Sequence, residues 1–163
     1  MKRRYLLASS LAAAVFGLDQ ASKYIVKASL SHGAGVPVIP GFFDLVHVHN
    51  RGAAFGFLNR PDQSWQTWMF AGASVLALAV ILWILRRTPD QDGWTIAGLG
   101  LVLGGALGNL LDRVTQGYVI DFLDVYYRNW HWPAFNVADM AICIGAGSLL
   151  LALWKNEHVS DTH

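Results

Sequence analysis

Two long uncharged stretches constrain the fold of this chain more than any other feature. Residues 63–85 and residues 93–111 contain no Asp, Glu, Lys or Arg. A helix needs about 20 apolar residues to cross the hydrocarbon core of a bilayer, which is about 30 Å thick. Both stretches are long enough to cross as helices, so the sequence predicts an integral membrane protein.

The composition agrees with this interpretation. Of the 163 residues, 54% are hydrophobic and 14% are charged, whereas a soluble domain has about 25% charged residues. The formal net charge of +1 provides no basic field, so nucleic acid is not an expected partner. The single cysteine, Cys143, excludes an internal disulfide and a cysteine-based metal cluster.

The apolar segments predict an all-α integral membrane protein with four transmembrane helices and a small extracytoplasmic β-sheet. One membrane-embedded domain, residues 1–163, is expected. The predicted spans cover about residues 5–26, 65–85, 94–114 and 136–154. The basic start MKRR followed by an apolar segment is also typical of a secretory signal peptide, but three further spans follow, so we interpret the first segment as a helix.

Basic residues near the span ends predict the orientation, because cytoplasmic loops are enriched in Lys and Arg. The MKRR start, Arg86 with Arg87, and Lys155 all fall on one side if both termini are cytoplasmic. Residues 27–64 and 115–135 are then outer loops. Four basic residues in those loops weaken the pattern, namely Lys27, Arg51, Arg60 and Arg128.

The two outer loops have the composition of strands. Residues 36–58 are rich in β-forming residues, punctuated by Pro and Gly, and residues 117–127 alternate in the manner of a strand. We expect a few short strands that form a small sheet against the helix ends.

Charged residues inside the predicted spans are rare and indicate function by default. Asp19 and Lys23 are four residues apart, hence on one face of the first span. They form either a self-neutralising pair, with Lys23 extended towards the outer interface, or part of a functional site. The sequence allows both.

The third predicted span ends in polar residues. Asn109 and Arg113 share a helix face, and Asp112 lies beside them. An arginine near a helix C-terminus is favourable by about 0.3–1 kcal/mol, but this explains neither Asn109 nor Asp112. Small residues in the same span predict close helix packing. These are Gly98, Gly100, Gly104, Gly105 and Gly108.

Asn136 and Asp139 stand at the start of the fourth predicted span. Asn is a favoured N-cap, and an acidic residue three positions later is typical of a capping box. Asp139 therefore caps the helix, does chemistry at its start, or does both.

Asp121 is a second acidic residue in an unusual setting. In a strand over residues 118–127, Asp121 is the only charge on an otherwise apolar face. A carboxylate among apolar neighbours is costly unless it is paired or protonated. Asp121 and Asp139 flank the same predicted outer loop, so the two side chains can meet.

Two adjacent carboxyl groups are the chemical minimum for activating water without a metal. They cannot both ionise cheaply, so one keeps its proton near neutral pH. The ionised partner takes a proton from water, which attacks an amide carbonyl that the protonated partner polarises. Asp121 and Asp139 thus predict a metal-free aspartic peptidase at the rim of the membrane.

Two other functions fit parts of the sequence. His47 and His49 share a strand face and, with His131, suggest a metal site, although a wet interfacial strand is the simpler interpretation.

A proton or ion conduit needs ionisable groups at several depths, whereas those of the predicted spans gather towards the outer half. The candidate relay residues are Asp19, Lys23, Asp112 and Asp139.

Four motifs resemble those of the bacterial lipoprotein signal peptidases, also called signal peptidase II. They are LDQASK (18–23), NRGAAFGFL (50–58), GGALGNLLDRVTQGYVIDFLD (104–124) and FNVADMAICIG (135–145). They occur in the family's order, and no departure falls at the positions that would carry chemistry.

The resemblance implies an aspartic endopeptidase of the bacterial inner membrane. With the orientation predicted from the basic residues, both termini are cytoplasmic and the active site lies at the periplasmic face. Such an enzyme removes signal peptides from diacylglyceryl-modified prolipoproteins by cutting before the lipidated cysteine. Its partners are these prolipoproteins and membrane lipid, and its inhibitors are cyclic peptides of the globomycin type. The family implies no cofactor and no metal.

Carried over by motif, the resemblance assigns Asp121 and Asp139 as the catalytic pair. Other residues would shape the site, support it or contact substrate. These are Asp19, Lys23, Asn50, Asn109, Asp112, Arg113 and Asn136.

Overall fold

The computed structural model of the chain describes residues 2–52 and 64–160, without the side chains of residues 64 and 156–160. The motif at residues 50–58 is therefore described only as far as Gly52, and its remainder lies outside the described residues.

Each predicted span coincides with a helix in the described residues. The helices are α1 (Arg3–Ser29), α2 (Ser64–Arg87), α3 (Gly93–Gln116) and α4 (Val137–Ser160). The fourth begins one residue later than predicted because Asn136 is its N-cap rather than its first helical residue.

Three segments of the described helices are long and apolar enough to cross a membrane, by length and composition. They are Trp65–Arg87, Gly93–Gln116 and Val137–Lys155. The prediction of four spans is therefore confirmed for three. With 27 residues, α1 extends about 40 Å at 1.5 Å per residue, but polar residues such as Asp19 and Lys23 lower its mean hydropathy.

The ends of α3 follow from its local sequence. The Oδ1 of Asp92 accepts a hydrogen bond from the Thr95 N–H at 3.1 Å, as an N-cap does. At the other end, Gly117 has a φ of 79°, and its N–H donates to the Arg113 carbonyl. Glycine adopts this left-handed conformation without a steric penalty, so the chain turns from the polar end of α3 directly into the next strand.

Small residues of α3 let α1 and α4 pack closely against it. A Cβ on Gly104 would lie 2.6 Å from the Ala12 carbonyl oxygen on α1. A Cβ on Gly105 would lie 2.5 Å from the Ala138 carbonyl oxygen on α4. Both contacts are too short for a side chain, so the predicted close packing of the glycine-rich span is confirmed.

The outer-loop segments form a small antiparallel sheet, as the sequence predicts. The strands are β1 (Gly35–Ile39), β2 (Phe43–Asn50), β3 (Val119–Tyr127) and β4 (Trp130–His131). They lie in the order β1-β2-β3-β4. In the β2–β3 register, Asn50 pairs with Val119 and Val48 pairs with Asp121, which brings Asn50 beside the start of β3.

The first half of β3 is buried on both faces. Val119 and Asp121 are buried, and so are Ile120 and Phe122 on the opposite face. The second face is covered because Ile120 and Phe122 pack with Val26 of α1. Asp121 is therefore held more rigidly than a one-sided strand would hold it.

Replacing Gly105 by alanine tests the close packing of α3 against α4. The added Cβ clashes with the backbone carbonyl of Ala138, and overpacking of this kind destabilises a protein by about 1–3 kcal/mol. We expect the purified variant in detergent to unfold at a lower temperature than the unmodified protein, as measured by thermal denaturation.

Gly72→Ala on α2 is the matched control, because a Cβ on Gly72 meets no atom within 4 Å. Alanine has a higher helix propensity than glycine, so this variant should unfold at the same temperature or a higher one. A Gly105→Ala variant as stable as the Gly72→Ala variant would contradict the packing argument.

Candidate active site

The N-terminus of α4 is closed by a reciprocal capping box. The Oδ1 of Asn136 accepts a hydrogen bond from the Asp139 N–H at 3.0 Å. In return, the Oδ2 of Asp139 accepts one from the Asn136 N–H at 3.3 Å. The predicted capping box is confirmed, and it fixes the Asp139 carboxylate against the backbone at the start of the helix.

The Asp121 carboxylate is buried, at 2% exposure, and each of its oxygens accepts a hydrogen bond from an amide. The Nδ2 of Asn136 donates to Oδ1 at 2.7 Å, and the Nδ2 of Asn50 donates to Oδ2 at 3.0 Å. The same Asn136 thus contacts Asp139 through its backbone and Asp121 through its side chain. This residue joins the two acidic residues into one site.

Asn109 supplies the remaining contact to the pair. Its Nδ2 donates to the Oδ1 of Asp139 at 2.8 Å. Each of the four carboxylate oxygens of Asp121 and Asp139 therefore accepts a hydrogen bond from an N–H group. Such contacts offset the loss of hydration that burial imposes on a carboxylate.

Asp121 has a strongly perturbed acidity. Burial, and then the nearby charge of Asp139, raise the pKa of the Asp121 carboxyl from 3.8 to about 7. The amides of Asn50 and Asn136 and the charge of Lys23 act in the opposite direction. The Asp121 carboxyl consequently holds a proton in a pH range where an exposed aspartate has lost it.

The two carboxyl groups line one cavity of about 210 Å³. Its polar lining also includes Asn50, Asn109 and Arg113, and residues such as Phe135 and Met140 add apolar surface. A cavity with an apolar wall and a few convergent polar groups is typical of a substrate site.

The Arg113 guanidinium is held by two backbone carbonyls. Its Nη1 donates to the carbonyl of Asn109 at 3.2 Å, and its Nη2 donates to the carbonyl of Gly52 at 3.3 Å. The planar, forked shape of guanidinium lets one side chain tie α3 to the segment that follows β2.

A buried ionic cluster lies beside this site. The Nζ of Lys23 is 2.8 Å from the Oδ2 of Asp19 and 2.7 Å from the Oδ2 of Asp112. The three residues are 2% exposed or less. The predicted pairing of Asp19 with Lys23 is confirmed, but the alternative in which Lys23 extends to the interface is wrong, because two carboxylates on different helices enclose it.

Gln20 belongs to the same cluster, which was not predicted from the sequence. Its Nε2 lies 3.1 Å from both Asp19 Oδ2 and Asp112 Oδ1. The Oδ1 of Asp19 accepts a hydrogen bond from the Ala138 N–H at 3.0 Å, so α1 also caps α4. The one signal for Gln20 is a polar side chain beside Asp19 in an apolar span.

The histidines of β2 do not meet His131. His131 contacts Asp124 at 3.0 Å, whereas the ring of His49 stacks on His32 and Tyr118. Within residues 2–52 and 64–160, no group of three or more His, Cys, Asp or Glu residues is arranged to hold a metal ion.

The conduit hypothesis is disfavoured by the same contacts. In the described helices its candidate relay groups gather in one network at one end, where α1 and α3 finish and α4 begins. A relay across a membrane needs ionisable groups at successive depths.

Comparisons with known proteins show similarity to one family over most of the chain. The model of the Signal peptidase (SPase) II family matches residues 11–155. A lipoprotein signal peptidase of Nitratidesulfovibrio vulgaris is 51% identical, over 93% of this chain and 92% of that protein. A lipoprotein signal peptidase of Maridesulfovibrio salexigens is 47% identical, over 94% of this chain and 99% of that protein.

A solved structure gives the same result at the level of the fold. A protein described as a bacterial membrane enzyme matches with a TM-score of 0.78 and 29% identity, covering 92% of this chain and 88% of its own. The chain belongs to the signal peptidase II family, and it is therefore a member of a family of peptidases.

Arg113→Lys tests whether the forked contact matters to the site. Lysine keeps the charge but cannot bind both backbone carbonyls with a planar group, and misplacement of a site by 1 Å can cost about 100-fold in rate. We expect cleavage of a lipidated prolipoprotein peptide to slow by at least about tenfold. Arg128→Lys is the control, because Arg128 is exposed and lies over the Tyr127 ring. Equal activity of both variants would contradict the role of the fork.

Proposed function

We propose that this protein is a membrane aspartic endopeptidase that removes signal peptides from diacylglyceryl-modified prolipoproteins, cutting before the lipidated cysteine. Family membership supports the substrate class. The observation that carries the chemistry is the pair of carboxyl groups of Asp121 and Asp139, which share Asn136 and face one cavity.

The two carboxyl groups have different tasks in this proposal. Asp121 retains a proton, in agreement with its raised pKa of about 7. Asp139 lies at the N-terminus of α4, where the helix dipole favours a negative charge. Asp139 is therefore the base and Asp121 the acid.

The reaction proceeds in two steps. Asp139 takes a proton from a water molecule as the water oxygen bonds to the scissile carbonyl carbon, and Asp121 gives its proton to the carbonyl oxygen. In the second step Asp139 returns its proton to the amide nitrogen, the C–N bond breaks, and Asp121 recovers a proton from the collapsing diol. No cofactor takes part.

The supporting residues of the proposal act on this pair. Asn50, Asn109 and Asn136 hold the carboxylates, and Arg113 holds the segment that borders the cavity. Asp19, Lys23 and Asp112 support Asn109 and the start of α4 from the protein interior.

The membrane arrangement is part of the proposal. The chain forms one domain with four spans in the bacterial inner membrane, and α1 crosses with its polar residues turned to α3 and α4 rather than to lipid. Both termini are cytoplasmic, which puts the basic residues Arg86, Arg87 and Lys155 on the side where Lys and Arg are enriched. The sheet and the carboxyl pair then lie at the periplasmic face, in contact with membrane lipid and open to water.

Substitution of either acidic residue tests the proposed chemistry. Asp121→Asn and Asp139→Asn keep the shape of each side chain but remove its ability to carry the proton. We expect each variant to lose cleavage of a synthetic diacylglyceryl-modified prolipoprotein peptide by at least about 1,000-fold, since general acid–base groups contribute about 10²–10⁴-fold each. A gel or mass-spectrometric assay of the released signal peptide measures the loss.

Asp124→Asn is the matched control, because Asp124 lies on the same strand but binds His131. It should retain full activity, and a globomycin-type cyclic peptide should block both this variant and the unmodified protein. Substantial cleavage by either Asp121→Asn or Asp139→Asn refutes the pair. Loss of activity in chelator with recovery in zinc would instead support a metal-dependent reaction.

A further inference from the structure

Among residues 2–52 and 64–160, Lys23 is the one cation of the buried cluster, yet it is not among the residues that line the cavity. It is 2% exposed, so a substrate in the cavity does not touch it. Any effect of Lys23 on the reaction must therefore pass through a neighbour. The contacts of its ammonium group identify that neighbour.

The ammonium group of Lys23 has three N–H donors and no acceptor, and the structure gives it three partners. Two are carboxylate oxygens, of Asp19 at 2.8 Å and Asp112 at 2.7 Å. The third is the side-chain oxygen of Asn109, at 2.9 Å. A side-chain amide that contacts an ammonium group must do so through its oxygen, because the amide NH2 and the ammonium are both hydrogen-bond donors.

This contact is shorter than the other one to the same oxygen, which comes from the Asn136 Nδ2 at 3.3 Å, and it bears on what Asn109 presents to the other side. With Oδ1 facing Lys23, the Nδ2 group of Asn109 points at Asp139 and donates to its Oδ1 at 2.8 Å. A reversed amide would place an acceptor against the Asp139 carboxylate and remove its donor. We propose that Lys23 is a positioning residue that fixes the sense of the Asn109 amide and so keeps a hydrogen-bond donor on Asp139. This inference rests on the proposed role of Asp139 as the base.

The surroundings of Lys23 are suited to that task. Asp19 and Asp112 place two carboxylate oxygens within 2.8 Å of the Lys23 Nζ, from two different helices. Gln20 donates to both carboxylates at 3.1 Å, and a side chain on Gly108 would collide with the Asp19 carboxylate. The cluster thus holds the Lys23 Nζ at one point, within reach of Asn109.

A merely structural ion cluster would have the same contacts to Asp19 and Asp112, so the test must isolate the path through Asn109. A double-mutant cycle does this, since residues that act through each other give non-additive effects and independent residues give multiplicative ones. The cycle uses Lys23→Met, Asn109→Leu and the double variant in the full-length protein in detergent. The assay measures kcat and KM with a synthetic diacylglyceryl-modified prolipoprotein peptide.

We expect Lys23→Met to lower kcat by on the order of 100-fold with little change in KM, because Lys23 lies outside the cavity. Asn109→Leu should lower kcat to a similar degree, and the double variant should be no slower than the slower single variant. If the two losses multiply instead, Lys23 does not act through Asn109 and the inference is wrong. If Lys23→Met does not fold, Lys23→Gln replaces it in the cycle. Adding Lys23→Gln to Asn109→Leu must then cause no further loss of kcat.

Asp112→Asn provides the matched comparison. It weakens the cluster that holds Lys23 but leaves Lys23 able to donate to Asn109, so its loss of kcat should be smaller than that of Lys23→Met. A loss from Asp112→Asn as large as the loss from Lys23→Met would mean that the whole cluster acts as one structural unit and would overturn the specific role of Lys23. Asp139→Asn, assayed in parallel, separates the two proposals. If Asp139→Asn is active, the proposed function fails, and if it is inactive while the Lys23 losses multiply, only the inference about Lys23 fails.

Discussion

Asn136 makes the contact on which the rest of the site depends. Its backbone N–H and its side-chain amide donate to different carboxylates, of Asp139 at 3.3 Å and Asp121 at 2.7 Å. Carboxyl groups are costly to bury beside one another unless their oxygens accept hydrogen bonds. Because Asn136 is also the N-cap of α4, the helix start and the acidic pair form together. The other elements complete this arrangement, with Asn50 at the end of β2 and Asn109 on α3.

The two carboxyl groups of the pair have different surroundings. Asp139 lies in the first turn of α4, where unpaired N–H groups and the helix dipole favour a negative charge. Asp121 lies on a strand that is buried on both faces, where burial raises its pKa. In the proposed mechanism, these different positions assign Asp139 as the base and Asp121 as the group that holds a proton. The cluster around Lys23 lies behind the pair and keeps its amide donors in one orientation.

Sequence alone predicted the features that depend on local pattern. The helices follow from long apolar runs, the cap from Asn136 and Asp139 at the correct spacing, and the close helix contacts from the glycines of α3. The resemblance to signal peptidase II was confirmed by the family comparison. These predictions succeed because spacing along a helix or strand translates directly into a shared face or a shared turn.

The features that sequence could not predict depend on tertiary partners. From the sequence alone, Lys23 could extend to the interface. In the structure it binds a second carboxylate, that of Asp112 on α3. Gln20 had no visible role because its partner on α3 is distant in the sequence. The third histidine, beside His47 and His49, is His32 rather than His131, since the loop that carries His32 folds back on β2. The polar residues that join α1 to this network also make α1 less hydrophobic than α2, α3 and α4.

In the proposed mechanism Asp121, one member of the acidic pair, holds a proton near neutral pH. Infrared difference spectroscopy of the purified protein, titrated with acid and base, tests this protonation through the C=O stretch of a protonated carboxylic acid. We expect a carboxylic-acid band that disappears as the pH rises, with a midpoint near pH 7, and that is absent from the Asp121→Asn variant. A protein whose spectrum shows no such band near neutral pH, or one whose band persists in Asp121→Asn, would contradict it.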